Sequence, residues 1–214
     1  MQEIYRNLVR VKICGITTPD DARLAAAAGA DAIGLVFYPP SPRNVTIVTA
    51  QQILAAVPPF VTRVGLFVNP QRAWVEEVLA ACALDMLQFH GDEEPEFCVD
   101  FQRPYLKVLR VSGECDLRPW RDRYPTAQGL LLDKRDVQVF GGSGQSFTWW
   151  RLPQDLGMPL ILAGGLQPDT VATAIDVARP YAVDVSSGVE TSPGRKDRGK
   201  MEGFIAQARA AREA

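Results

Sequence analysis

Short runs of apolar, often β-branched residues recur along the chain, separated by stretches whose apolar positions repeat with helical spacing. The runs predict strands at Val9 to Cys14, Asp31 to Phe37, Val61 to Val68, Leu84 to Phe89, Leu106 to Val111, Gly129 to Asp133, Leu160 to Ala163 and Ala182 to Val185, eight in all. The stretches between them predict helices at Pro19 to Ala28, Thr49 to Ala56, Gln71 to Cys82, Glu94 to Phe101, Asp116 to Tyr124, Thr148 to Leu152, Pro168 to Ala178 and Lys200 to Arg212. Three of the starts carry cap chemistry, with Pro or an acid in the first turn: Thr18-Pro19-Asp20-Asp21, Asn69-Pro70 and Gln167-Pro168-Asp169.

Strands alternating with helices are the mark of βα units around a parallel sheet. Eight such units predict an α/β fold in which residues 1–214 form one closed (β/α)8 TIM barrel, with connections shorter than in a typical barrel of ~250 residues. The alternative is an open doubly wound sheet. That fold places a G-x-G-x-x-G turn after its first strand, and the "KICGIT" found here is not one.

Composition narrows the function classes. Lys and Arg total 23 against 25 Asp and Glu, with no long run of either sign, which argues against a nucleic-acid or membrane footprint. Charged residues interrupt the apolar ones from Met1 to Lys12, so no signal-peptide core is expected there, and no later segment is apolar enough for a membrane span. The chain reads as soluble and cytoplasmic. Cys14, Cys82, Cys98 and Cys115 have no C-x-x-C spacing and are expected to be free thiols, the last three in or near helices as packing residues. His90 is the single histidine, which argues against a multi-histidine metal site.

In a barrel of this kind the chemistry sits at the C-terminal ends of the strands. Strand alternation puts Lys12 and Cys14 on one face and Val11 and Ile13 on the other, so the polar pair must face the barrel interior. A lone Cys is usually a small buried hydrophobe, but this one ends a strand at the functional rim. To act as a base it needs a nearby positive charge or oriented dipoles; Lys12 either supplies that charge or is paired with an acid. Asp133 ends the sixth strand after three leucines, at the same rim, where a partly desolvated carboxyl can serve as general acid. The proline-stiffened loop "YPPSPRNV" presents Arg43 as an anion clamp. "LQFHG" puts Gln88 and His90 at the pocket wall. "LAGGLQP" and "DVSSGVE", after the seventh and eighth strands, offer backbone N–H groups for a phosphate, and "FGGSGQSF", with Gly142 and Gly144, reads as a lid over substrate. Trp149 and Trp150 are expected to pack the short sixth helix onto the barrel wall.

The ordered set "KICGIT", "GLVFYPPSPR", "LQFHG", "LLLD", "GGSG", "LAGGLQP" and "DVSSGVETSPGRKD" resembles the phosphoribosylanthranilate isomerase family from about Val11 to Lys200. One departure is that "FTW" puts Thr148 where the family usually has Asp after the lid, and Thr is also a competent helix cap. The resemblance implies an Amadori rearrangement of a small phosphosugar substrate, without cofactor or metal, by a monomer or homodimer. It implies Asp133 as general acid and Cys14 as general base. It further implies Arg43 on the anthranilate carboxylate, Gly164, Gly165, Ser186, Ser187 and Gly188 on the phosphate, and Asp184 on the sugar.

Neighbouring barrels fit less well. Ribulose-phosphate epimerases need several histidines. The histidine-pathway aminoaldose isomerase ends its first strand in Asp, where this chain has Cys14. Indole-glycerol-phosphate synthases rely on strand-end lysines, and of Lys12, Lys107 and Lys134 only Lys12 points inward. A phosphosugar-binding regulator without catalysis would need the phosphate loops and Arg43 but neither Cys14 nor Asp133.

Overall fold

The structure, a computed structural model, describes residues 9–112, 114–134 and 150–211. Eight parallel strands close into a barrel in sequence order, β1 (Arg10–Cys14), β2 (Ala32–Val36), β3 (Thr62–Phe67), β4 (Met86–Phe89), β5 (Tyr105–Val111), β6 (Gly129–Lys134), β7 (Leu160–Ala163) and β8 (Ala182–Val185). The barrel closes where β8 pairs with β1, Asp184 opposite Lys12 and Val185 opposite Ile13. Sequential order and closure exclude the open doubly wound sheet.

Helices α1 (Pro19–Ala27), α2 (Ile47–Ala55), α3 (Arg72–Ala81), α4 (Pro95–Val99), α5 (Arg118–Arg123), α6 (Val171–Ala178) and α7 (Arg198–Ala210) lie outside the sheet. None of the described helices is long and apolar enough to cross a membrane. Thr18 caps α1 by accepting from the Asp21 N–H at 3.1 Å. Asn69 does not cap α3, which begins after Gln71; its Oδ1 instead accepts from the Asp92 N–H at 2.7 Å and ties the loops after β3 and β4 together. The helix expected at Thr148 to Leu152 does not form over its described part: Trp150 to Leu152 are irregular, and Trp150 and Leu152 still pack on the core. A hairpin not anticipated from the sequence follows β8, formed by β9 (Glu190–Ser192) and β10 (Arg195–Lys196).

The main core fills the space between sheet and helices, where Val11, Ile13, Ile33, Leu35, Leu130, Leu132 and Val183 present the outward faces of their strands. Phe37 and Phe67 stack at 5.3 Å, and Phe89 contacts Phe97, Phe101 and Tyr105, which fixes the C-terminal ends of β2 to β4 from outside. Inside the barrel are two smaller apolar clusters, one of Leu106, Val108, Leu131, Ile161, Ala163 and Ala182, the other of Cys14, Val36 and Leu66. Lys12 and Asp184 add a buried ion pair to this interior. Cys82 and Cys98 are buried as expected, but Cys115 is exposed, because it lies in the irregular segment before α5 rather than on a helix face.

Candidate active site

The C-terminal ends of the strands open into a cavity of about 480 Å³ lined by Cys14, Arg43, Gln88, His90, Asp133, Gly164, Gly165, Asp184, Ser186, Ser187 and Gly188, together with Arg110. The structure thus brings together, in one space, every described residue that the sequence offers as catalytic or substrate-binding, while Lys12 lies outside that lining. Gly142 and Gly144 lie outside the described residues.

Cys14 closes β1, 5% exposed, with its strand neighbour Gly34 directly opposite. Burial pushes its thiol above the ordinary range, the Lys12 ammonium draws it back, and the Asp184 carboxylate adds to the rise. Lys12 Nζ donates to Asp184 Oδ1 at 2.9 Å, with both side chains buried. For Lys12, burial works against the charged form, but Asp184 and Cys14 together outweigh it and hold the ammonium above its usual value. Gly15, just past the strand, has φ +75°, a conformation natural to glycine, and a Cβ there would collide with Arg43 Cδ at 2.5 Å. The chain therefore turns away from the barrel under the Arg43 side chain.

Asp133 projects from the end of β6, and its Oδ2 lies 3.0 Å from His90 Nε2. His90 sits on a stiffly held loop. Its N–H donates to Phe67 O at 2.9 Å, and the buried Lys107 ammonium donates to Gly91 O at 2.6 Å and to Glu93 Oε2 at 2.8 Å. The Glu93 carboxylate also accepts from the N–H groups of Asn69 and Gly91, and Tyr124 Oη donates to its carbonyl. Imidazole and carboxylate are thus fixed as a pair that shares one hydrogen bond and can carry a proton across it. Arg110, opposite Asp133 in register, donates to His90 O at 3.3 Å and adds a cation to this wall.

Arg43 is clamped by Glu190, Nε to Oε1 at 2.8 Å and Nη2 to Oε2 at 2.6 Å. Lys196 donates to the same Glu190 Oε1 at 2.7 Å and to Ser186 O at 3.1 Å. Burial alone would raise the Glu190 carboxyl, but the hydrogen bonds from Arg43 and Lys196 outweigh it and hold it below the usual carboxylate range. Two cations around one carboxylate leave a net positive charge between the Arg43 loop and Ser186. Gln88, 1% exposed, belongs to the cavity lining, and both of its buried amide atoms are without a hydrogen-bond partner among the described residues.

Sequence reasoning missed Glu190, Lys196 and Arg110. The first two stand in "DVSSGVETSPGRKD", a stretch noted for its phosphate-loop glycine and serines, and Arg110 ends the fifth strand as Asp133 ends the sixth. Strand-end position was the signal available for Arg110. Glu190 and Lys196 had none short of the hairpin itself.

Residues 11–207 match the sequence model of the family described as N-(5'phosphoribosyl)anthranilate (PRA) isomerase. The chain is 66% identical over 202 residues to the N-(5'-phosphoribosyl)anthranilate isomerase of Acidithiobacillus ferrooxidans, covering 94% of this chain and 98% of that one. Among solved structures, the phosphoribosyl anthranilate isomerase of Thermotoga maritima superposes with a TM-score of 0.83 at 41% identity, over 95% of this chain and 100% of that one. A phosphoribosyl anthranilate isomerase in complex with reduced 1-(o-carboxyphenylamino)-1-deoxyribulose 5-phosphate gives 0.80 at 39% identity, over 95% and 100% of the two chains.

Proposed function

Since the chain belongs to the N-(5'-phosphoribosyl)anthranilate isomerase family and carries out that isomerisation in tryptophan biosynthesis, we propose that Cys14 and Asp133 are the base and the acid of the reaction. The observation that carries this reading is their geometry. The two side chains end β1 and β6, face one cavity, and each has its own polar partner, Lys12 with Asp184 for the thiol and His90 for the carboxyl.

Asp133 gives its proton to the ribose ring oxygen, the C1–O bond breaks, and the nitrogen lone pair forms the iminium. The iminium acidifies the C2–H bond, and the Cys14 thiolate takes that proton. The C–H electrons become the C1–C2 double bond of a neutral enolamine. Transfer of the C2 hydroxyl proton to C1 then gives the ketone, 1-(2-carboxyphenylamino)-1-deoxyribulose 5-phosphate, with no net change in atoms.

Arg43 receives the anthranilate carboxylate. Glu190 occupies the Nε and Nη2 edge of the guanidinium, so the edge formed by Nη1 and the second Nη2 proton is the one offered to substrate. The phosphate is held by the turns with Gly164, Gly165, Ser186, Ser187 and Gly188, where Gly188 has no room for a side chain because a Cβ would lie 1.9 Å from Leu166 O. The unpaired Gln88 amide takes a sugar hydroxyl, as does the Asp184 carboxylate from the opposite wall.

Steady-state kinetics on point variants test the assignment. Cys14→Ala and Asp133→Asn should each lower kcat by at least ~10²-fold while product-analogue affinity changes little, and Arg43→Ala should chiefly raise KM. Turnover near wild type in the Cys14 variant would remove the thiol from the mechanism.

A further inference from the structure

An ammonium group has three N–H donors, and Asp184 Oδ1 accounts for one of those on Lys12. Cys14 stands two residues further along the same inward face of β1. Gly34 on the adjoining strand shows how close the two are. A Cβ at that position would stand 2.8 Å from Cys14 Sγ and 3.0 Å from Lys12 Nζ, so sulfur and ammonium both crowd the same point. A glycine facing the pair lets them share that space.

We propose that Lys12 is a positioning residue that sustains the Cys14 thiolate, its ammonium neutralising the sulfur on one side while Asp184 anchors it from the other. The inference rests on Cys14 being the base. It gives the Lys12–Asp184 pair a task beyond joining β1 to β8, since a strand staple would serve equally well with the sulfur absent.

Three cations surround Cys14, Lys12 from its own strand, Lys196 from β10 and Arg43 from the loop after β2, with two carboxylates among them, Asp184 on β8 bonded to Lys12 and Glu190 on β9 bonded to Arg43 and Lys196. β2 and β3 contribute Val36 and Leu66, which are apolar. Burial pushes the thiol up and Lys12 is the largest opposing influence, whereas the ammonium itself is held above its ordinary range. A lysine held above its ordinary range keeps its charge beside the sulfur. Activity should accordingly gain on the alkaline side as Cys14 ionises.

The test is the pH dependence of Cys14 alkylation by iodoacetamide, read by mass spectrometry of the Cys14 peptide so that Cys82, Cys98 and the exposed Cys115 are scored separately. Lys12→Met keeps the length of the side chain and removes its charge. It should move the alkylation midpoint up by about one pH unit or more, with roughly tenfold slower modification at a fixed pH below the midpoint. Asp184→Asn should move it in the opposite direction, because the carboxylate adds to the rise of the thiol. The ascending limb of kcat/KM should shift with the Lys12→Met midpoint. An unchanged midpoint in a folded Lys12→Met protein overturns the proposal, and so does a shift of the same sign in both variants, since that reports a common distortion. If Lys12→Met fails to fold, Asp184→Asn alone decides: no downward shift refutes the arrangement. Should Cys14→Ala retain turnover while the midpoints still move as stated, the role of Cys14 as base fails and the effect of Lys12 on the thiol stands.

Discussion

At the scale of single residues, Gly34 carries the tightest constraint on the reacting groups. A methyl group there would press on Cys14 Sγ, Lys12 Nζ and, at 3.2 Å, the Cys14 Cα, and the last of these is backbone that cannot swing aside. Gly34→Ala should cost about 1–3 kcal/mol of stability by overpacking and lower kcat at least ~10-fold, measured by urea unfolding and steady-state kinetics on one preparation. Loss of stability without loss of kcat would mean that the sulfur has latitude the geometry does not suggest. The sequence makes Cys14 and Asp133 visible because each is a polar residue ending an apolar strand, and alternation assigns Cys14 and Lys12 to the interior. It leaves Lys12 undecided between two tasks, because its carboxylate partner stands 172 residues away in the chain. Only closure of the barrel brings them together.

At the scale of elements, the hairpin β9–β10 is the part least readable beforehand. Its strands have three and two residues, and all of their side chains are polar, so no period can register. Yet it supplies both Glu190 and Lys196, and through them the orientation of Arg43. The eight barrel strands are longer or more apolar and announce themselves. The described part of the sixth expected helix, Trp150 to Leu152, is irregular for a related reason, since "TWWRL" has apolar content but too few residues to establish helical spacing. Glu190→Gln should free the Arg43 fork and raise KM roughly 10-fold with kcat less affected, and the loss should be smaller for a substrate analogue without the carboxylate. It also has a pH signature. The Glu190 carboxyl titrates below its unfolded value, so its contribution to stability is complete above the ordinary carboxylate range and disappears as pH falls through the lower, folded value. Thermal melts from neutral to acidic pH should therefore fall less steeply for Glu190→Gln than for the parent over that window. Parallel curves would mean that Arg43 and Lys196 do not hold the carboxylate ionised.

For the whole molecule, the two ends of the barrel divide the work. Chemistry occupies the C-terminal rim, while the opposite end is fastened by Arg209 of α7, which donates to Val9 O at 3.0 Å and to Asp31 Oδ2 at 2.8 Å. Asp31 in turn accepts from the Val11 N–H at 2.7 Å, so the last helix, the first strand and the start of the second are linked through one carboxylate. Arg209→Ala should reduce unfolding free energy by about 1–3 kcal/mol and leave kcat and KM unchanged, as denaturant titration beside initial rates would establish. A change in kcat would show that the two ends are mechanically coupled. The Lys12–Asp184 pair has a consequence of another kind, one of assembly order. Until the eighth strand arrives, the first strand holds an ammonium on its inner face with no carboxylate from β8 to meet it, and water must stay to solvate it. The interior can dry only when the ring is complete. A chain stopped after β7 would keep a wet, charged seam, because the contact that tends the thiol also joins the last strand to the first.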